Sequence, residues 1–200
     1  MRLLIVSGFL GSGKTTILME LLGHMVAVSG NESGQPSVVV IENEVGDVSI
    51  DDKILESTGL DVRNLFSGCV CCTLSGQLVP SLREIERTLD PEWVVLETTG
   101  IASVGSIMDT IHEYAGLESK ALIIVDASRW MRIRKPLELV LESQLKGASV
   151  ALINKCDLVE DPAQIAEVEA DVQSIEPEMH VYRTGREMPI SDDALKDILA

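Results

Sequence analysis

Short aliphatic runs alternate along the chain with longer stretches in which apolar residues recur every three or four positions. A brief continuous apolar run bounded by turn-forming residues is the pattern of a strand buried on both faces, as in parallel sheets covered by helices. Such runs predict strands at Leu3–Val6, Ser37–Ile41, Val62–Phe66, Trp93–Leu96, Ala121–Val125, Val150–Ile153 and His180–Tyr182. The amphipathic stretches between them predict helices over Lys14–Val28, Gln77–Leu89, Val104–Tyr114, Leu137–Lys146, Pro162–Ile175 and Asp192–Leu199. This alternation specifies an α/β fold, a three-layer sandwich around a mostly parallel sheet of about seven strands. Ser29–Pro36, SGNESGQP, reads as a polar connection between the first helix and the second strand. No repeat, low-complexity tract or linker breaks the pattern, so one domain over residues 1–200 is expected.

Composition narrows the picture. Hydrophobic residues make up 46% of the chain but aromatics only 3%, so the core must be aliphatic. The formal net charge is −16, from 32 acidic and 16 basic residues. Such a surface repels phosphate backbones and anionic lipid, which argues against nucleic-acid or membrane partners. The amino-terminal apolar run Leu3–Val6 is too short for a signal-peptide core, and no segment reaches membrane-spanning length. Three of the four cysteines fall within Cys69–Cys72, too close together to staple distant parts of a fold. Reduced thiols and a cytoplasmic location are the expectation.

Gly8-Phe9-Leu10-Gly11-Ser12-Gly13-Lys14-Thr15 satisfies G-x-x-x-x-G-K-[ST] at every fixed position, after a predicted strand and before a predicted helix. Glycines let backbone N–H groups turn inward and approach phosphate oxygens, and the helix amino terminus adds its dipole. Lys14 is expected to reach the β- and γ-phosphates, the Thr15 hydroxyl to ligate Mg²⁺, and Thr16 to help hold the α-phosphate. The motif makes the expected sandwich a P-loop NTPase fold.

Asn154-Lys155-Cys156-Asp157 follows the apolar run Val150–Ile153. An Asp carboxylate accepts hydrogen bonds from N1–H and the exocyclic amine of guanine but finds no such donors on adenine. Asn154 is expected to brace the loop, the Lys155 stem to lie over the base plane, and Tyr182–Gly185, including Thr184, to close the pocket. Trp93–Leu96 ends in Glu97-Thr98-Thr99-Gly100. Glu97 is placed to hold a Mg²⁺-bound water, and the Gly100 N–H to sense the γ-phosphate.

Gly68-Cys69-Val70-Cys71-Cys72-Thr73 is the least common feature. Cys69 and Cys71 face the same way in an extended segment, and a turn can bring Cys72 round. Converging thiolates suit Zn²⁺ or another thiophilic ion, with a fourth ligand supplied from elsewhere. The same residues also read as small buried hydrophobes or as a redox pair.

The order GFLGSGKTT, IENEVGDVSID, GCVCCT, ETTG, NKCD closely resembles the CobW-type metal-trafficking GTPases, which include nitrile hydratase activator-like proteins and zinc-regulated GTPase chaperones. More distant relatives help to load nickel into hydrogenase and urease. The resemblance spans Leu3 to about Thr184. It implies a GTP-hydrolysing metallochaperone or metallocentre activator with slow turnover, a metalloenzyme or corrinoid-protein client, and nucleotide- or metal-linked dimerisation. It implies that Gly8, Gly11, Ser12, Gly13, Lys14, Thr15 and Thr16 hold phosphates, and that Glu97 is the acidic residue of the E-[ST]-[ST]-G segment. Asn154, Lys155 and Asp157 correspond to the guanine contacts, and Cys69, Cys71 and Cys72 to the thiols that bind Zn²⁺, Co²⁺ or Ni²⁺. Glu42, Glu44 and Asp47 fall in the nucleotide-sensing switch. Glu42 is a candidate further metal ligand, Glu44 and Asp47 are candidate water-positioning groups beside Lys14, and Asp51 is a candidate for the Mg²⁺ shell.

The chain departs from the family pattern in two places. Usual members have a carboxy-terminal domain, often with a histidine-rich tract, which is not expected here. The histidines His24, His112 and His180 are scattered singly. Gly100–Val104 also lacks the proline common after E-T-T-G-x-A. A P-loop small-molecule kinase would need an acceptor pocket and an arginine-bearing lid, and N-K-x-D argues against it. A non-catalytic nucleotide or metal sensor acting by dimerisation is the other function class.

Overall fold

The computed structural model describes residues 1–28, 37–42, 60–64 and 78–200, with Glu42 and Leu60–Asn64 described by their backbone. Strands β1 (Arg2–Gly8), β2 (Val38–Glu42), β3 (Leu60–Asn64), β4 (Trp93–Glu97), β5 (Ser119–Asp126), β6 (Val150–Asn154) and β7 (His180–Arg183) form a seven-stranded sheet in the order β3-β2-β4-β1-β5-β6-β7. Every pairing is parallel. The described helices are α1 (Lys14–Val28), α2 (Val79–Thr88), α3 (Val104–Ala115), α4 (Trp130–Arg134), α5 (Glu138–Leu145), α6 (Pro162–Ile175) and α7 (Asp192–Leu199).

Side-chain alternation divides the core into two layers. Leu4 and Val6 of β1 point to one face, where they meet Ile17, Leu18, Leu21, Leu22 and Met25 of α1 and Ala194 and Ile198 of α7. Leu3 and Ile5 point to the other, against Leu82 and Ile85 of α2, Ile107 and Ile111 of α3, Leu141 and Leu145 of α5, and Val168 and Val172 of α6. This is the expected three-layer sandwich. Among the described residues, no helix is long and apolar enough to cross a membrane.

Local chemistry explains where two helices begin. Asp161 caps α6, accepting from the Ala163 N–H at 2.9 Å, with Pro162 in the first turn, where its missing N–H costs nothing. Ser191 caps α7 in the same way, and Asp192 and Asp193 face the amino-terminal end of its dipole.

Several boundaries differ from expectation. Strands β4, β6 and β7 run one residue longer than their apolar runs, and β1 and β5 three residues longer. Polar residues at sheet ends still pair through the backbone, and hydropathy does not register this. The β3 pairing starts at Leu60, two residues before the expected strand, because Val38 of β2 takes Leu60 as its parallel partner. The expected end of that strand, residues 65–66, lies outside the described residues. The α4 helix was not expected, since five residues are too few for a periodic apolar signal. Tertiary bonds hold it in place. Trp130 Nε1 donates to Asp171 Oδ2 at 2.6 Å, and Arg134 donates to Asp171 at 2.9 Å and to Glu142 at 3.0 Å.

Candidate functional site

The register places the ends of four neighbouring strands level with one another. Val6 pairs with Glu97, Gly8 with Ile124 and Asp126 with Asn154. On β2, Glu42 takes Glu97 as its backbone partner. Ligands of open parallel sheets bind at such carboxyl ends, where the strand order reverses direction; here that point is β1.

The loop from Gly8 to Lys14 crosses this edge and leads directly into α1. Gly11 and Gly13 adopt φ of +76° and +98°, which side chains rarely tolerate. A Cβ on Gly13 would also collide with the Asn154 side-chain amide. Lys14 is buried, and its Nζ donates to the Gly8 carbonyl at 3.0 Å, across the concavity of the loop. Thr15 and Thr16 are exposed at the start of α1. The Ser12 hydroxyl is buried with no hydrogen-bond partner among the described residues.

Cations and an amide cover the outer rim of this loop. Arg129 Nη1 donates to the Leu10 carbonyl at 3.3 Å, Lys155 Nζ to the Gly11 carbonyl at 2.5 Å, and Asn154 Nδ2 to the Ser12 carbonyl at 2.8 Å. The Ser12 N–H donates to the Phe9 carbonyl at 3.0 Å; carbonyls held outward favour an inward aim for the other loop N–H groups, the polarity an anion-binding nest requires. Lys155 adopts a left-handed backbone, φ +62°, and its ammonium also pairs with Asp126 at 2.7 Å. Asp126 is buried and accepts from the Ser128 N–H and hydroxyl at 3.0 and 2.6 Å.

Asp157 is exposed and lies in a 3-10 turn over Cys156–Leu158. Its Oδ1 accepts from the Arg186 N–H at 3.0 Å, and a Cβ on Gly185 would run into the same oxygen. The Thr184 hydroxyl is turned into its own loop, donating to the Met188 carbonyl at 2.8 Å, while its carbonyl accepts from the Cys156 N–H at 3.2 Å. The backbone of Gly185 and Arg186 meets Asp157. Burial pushes the Cys156 thiol above its usual range, and the thiol donates to the Ile153 carbonyl at 3.1 Å. It is a packing residue.

Glu97 is buried at the end of β4, and Gly100 lies against the phosphate loop. The Gly100 carbonyl accepts from Gln144 Nε2 of α5. The candidates Glu44, Asp47, Asp51, Cys69, Cys71 and Cys72 lie outside the described residues, as does the side chain of Glu42. Among the described residues, no group of three or more His, Cys, Asp or Glu side chains is arranged to hold a metal ion.

Sequence reasoning missed Asp126, Arg129, Gln144 and the Arg186 backbone, whereas Gly185 lies within the segment expected to close the pocket. Asp126 had a signal, an acidic residue ending an apolar strand run, just as Glu97 does. The others gain their roles only through contacts far along the chain.

The sequence profile described as "CobW/HypB/UreG, nucleotide-binding domain" matches residues 2–183. The chain belongs to this family. It is 30% identical over 183 residues to the Escherichia coli protein "Zinc chaperone YjiA", covering 86% of this chain and 55% of that protein. It is 25% identical over 232 residues to "Zinc-regulated GTPase metalloprotein activator 1" of Dictyostelium discoideum, covering 94% and 46%. The chain thus spans about half the length of these family members. Its fold resembles that of the Zn(II)-bound YjiA GTPase from E. coli, with a TM-score of 0.66 at 23% identity, covering 99% of this chain and 61% of that one. It also resembles the hydrogenase maturation factor HypB from Archaeoglobus fulgidus, with a TM-score of 0.62 at 18% identity, covering 92% and 81%. These two likenesses establish the three-layer P-loop sandwich, which other members of the family share.

Proposed function

We propose that this chain binds GTP and GDP, hydrolyses GTP slowly, and couples nucleotide state to the handling of a transition metal destined for a client protein. The observation that carries this reading is the direct bonding of the base loop to the phosphate loop: Asn154 to the Ser12 carbonyl and Lys155 to the Gly11 carbonyl. A base held by Asp157 is thereby set in register with a phosphate held by residues 8–15.

The residues fit a nucleoside triphosphate. The glycine cradle would be filled by side chains, and among the described residues the buried Ser12 hydroxyl has no hydrogen-bond partner while Lys14 Nζ donates to the Gly8 carbonyl. On binding, Lys14 exchanges the Gly8 carbonyl for β- and γ-phosphate oxygens, and inward N–H groups receive the charge that builds on them. Thr15 and Glu97 offer the hard oxygen donors that Mg²⁺ requires, and the ion when bound neutralises further phosphate charge. Gly100 contributes its N–H to the γ-phosphate, and Glu44 or Asp47 orients the attacking water.

In this reading the cargo is Zn²⁺, or Co²⁺ or Ni²⁺, held by Cys69, Cys71 and Cys72 with Glu42. The names of the relatives, a zinc chaperone and a zinc-regulated metalloprotein activator, support it. The client is a metalloenzyme or a corrinoid protein, and the active form is a homodimer. Affinities for GTP, GDP, ATP and ADP, with turnover measured with and without Zn²⁺, Co²⁺ and Ni²⁺, test the proposal. It expects a strong guanine preference and metal-sensitive turnover. Equal ATP and GTP affinity overturns it.

A further inference from the structure

We propose that Gln144 is the positioning residue of the nucleotide-sensing turn, so that the preference between guanosine di- and triphosphate depends on one buried amide of α5. The inference rests on the proposal above that the Gly100 N–H meets the γ-phosphate.

The turn is compact. The Ala102 N–H donates to the Thr99 carbonyl at 3.2 Å, enclosing Gly100 and Ile101. Gly100 lies directly on the phosphate loop, and a Cβ there would fall 2.9 Å from the Leu10 nitrogen, 3.3 Å from the Phe9 carbonyl carbon and 3.4 Å from the Gly8 oxygen. Glycine permits this approach but leaves its own two torsions loose. The peptide before Gly100 holds the sensing N–H, and the peptide after it holds the carbonyl. Gln144 Nε2 donates to that carbonyl across 44 positions of chain. Fixing the carbonyl removes freedom on one side of the glycine, so the N–H is oriented before the phosphate arrives.

The surroundings of Gln144 argue that the bond is the reason for the residue. Gln144 is 2% exposed, and its neighbours Leu141 and Leu145 on the same helix are each 1% exposed within the apolar core. An amide on such a face is costly without a partner, and an apolar side chain would suit packing alone. On that proposal a diphosphate, which lacks the γ-phosphoryl group, makes no use of the Gly100 N–H. Only the triphosphate complex gains from an oriented N–H, and only differential contacts shift an equilibrium between the two states.

The test measures GDP and a non-hydrolysable GTP analogue on the parent, Gln144→Met and Gln144→Glu, with a melting temperature for each protein. Gln144→Met removes the donor at similar volume. It is expected to leave GDP affinity within about twofold and weaken the analogue by about five- to tenfold, the range one neutral hydrogen bond supplies. Gln144→Glu keeps a donor to the Gly100 carbonyl only while its carboxyl is protonated, a form that burial favours, and it weakens the analogue likewise once the pH is high enough to ionise it. Protonation restores an O–H donor, so analogue affinity recovers as pH falls, a recovery that a packing role does not produce. In the parent itself, the Gln144 side-chain amide resonances are expected to move between the GDP and analogue complexes, a measurement that needs no variant to fold. Equal weakening of both nucleotides in Gln144→Met, no recovery in Gln144→Glu, or unmoved amide resonances each overturn the inference. A parent that binds no guanine nucleotide instead overturns the function on which it rests.

Discussion

Asn154 Nδ2 donates to the Ser12 carbonyl at 2.8 Å, across 142 positions of sequence. The bond joins the end of β6 to the loop after β1, and it needs the bare Cα of Gly13 beside it. Asn154→Ala is expected to leave the Ser12 carbonyl unpaired, cost about 1–3 kcal/mol of stability and weaken guanine nucleotides about tenfold. Chemical denaturation with nucleotide titration checks both, and an unchanged affinity removes the proposed link between the loops.

Base selectivity is expected to reside in Asp157 and in the backbone that faces it. Asp157→Asn is expected to weaken GTP and admit xanthosine nucleotides, whose extra carbonyl pairs with an amide. Gly185→Ala drives a methyl into Asp157 Oδ1 and is expected to lower the GTP-to-ATP affinity ratio while sparing affinity for the shared phosphates. Competition binding with the four nucleotides decides it, and a ratio that holds in both variants contradicts the assignment.

Lys14→Ala removes the ammonium that crosses the phosphate loop. Turnover is expected to fall by at least about 100-fold, the scale of losing one preorganised charge at a transferred phosphoryl group. Phosphate release under saturating GTP measures it. Residual turnover near the parent rate would assign the chemistry elsewhere.

Metal and nucleotide are expected to be linked. Metal affinity should differ between GDP and a GTP analogue by about 5- to 150-fold, equivalent to about 1–3 kcal/mol, and metal must alter relative nucleotide affinity by the same factor. Thiolate ligation releases protons, so metal binding weakens as pH falls. Changing Cys69, Cys71 and Cys72 together to Ser is expected to abolish tight Zn²⁺ binding and preserve GTP binding. Calorimetric titrations of Zn²⁺ in each nucleotide state check this, and identical affinities rule out the coupling.

A carboxylate on α7 is expected to contribute to stability at alkaline pH. The Tyr182 hydroxyl donates to Asp197 Oδ2, and this bond, with burial, holds the phenol up at about 12. The bonds from Tyr182 and His180 in turn hold Asp197 below the usual carboxylate range. A raised folded-state value means that the Tyr182 contribution is complete below the unfolded phenol value of about 10 and is lost as pH rises through about 12. The Asp197 contribution has the opposite sign and is lost on acidification through its lowered value. In a Tyr114→Phe background, where Tyr182 is the only tyrosine, Asp197→Asn should move the ultraviolet phenolate titration down towards about 10. An unmoved titration contradicts the pairing.

Sequence alone determined the features whose physics is local. Residues 8–15 announce a phosphate loop because left-handed and crowded backbone positions demand glycine wherever the loop folds. Buried parallel strands betray themselves as unbroken aliphatic runs, and Asp161-Pro162 and Ser191 mark helix starts through their own side chains. Tertiary structure decided what depends on partners distant in sequence. Gln144 looks like any helix glutamine until the Gly100 carbonyl is beside it, and Arg129 like any surface cation until it reaches Leu10. The α4 helix exists because Asp171 and Glu142, brought in by other helices, satisfy Trp130 and Arg134. Hydrogen bonds act over about 3 Å whatever the chain separation, so which distant groups meet is settled only when the sheet order and register bring them to one edge.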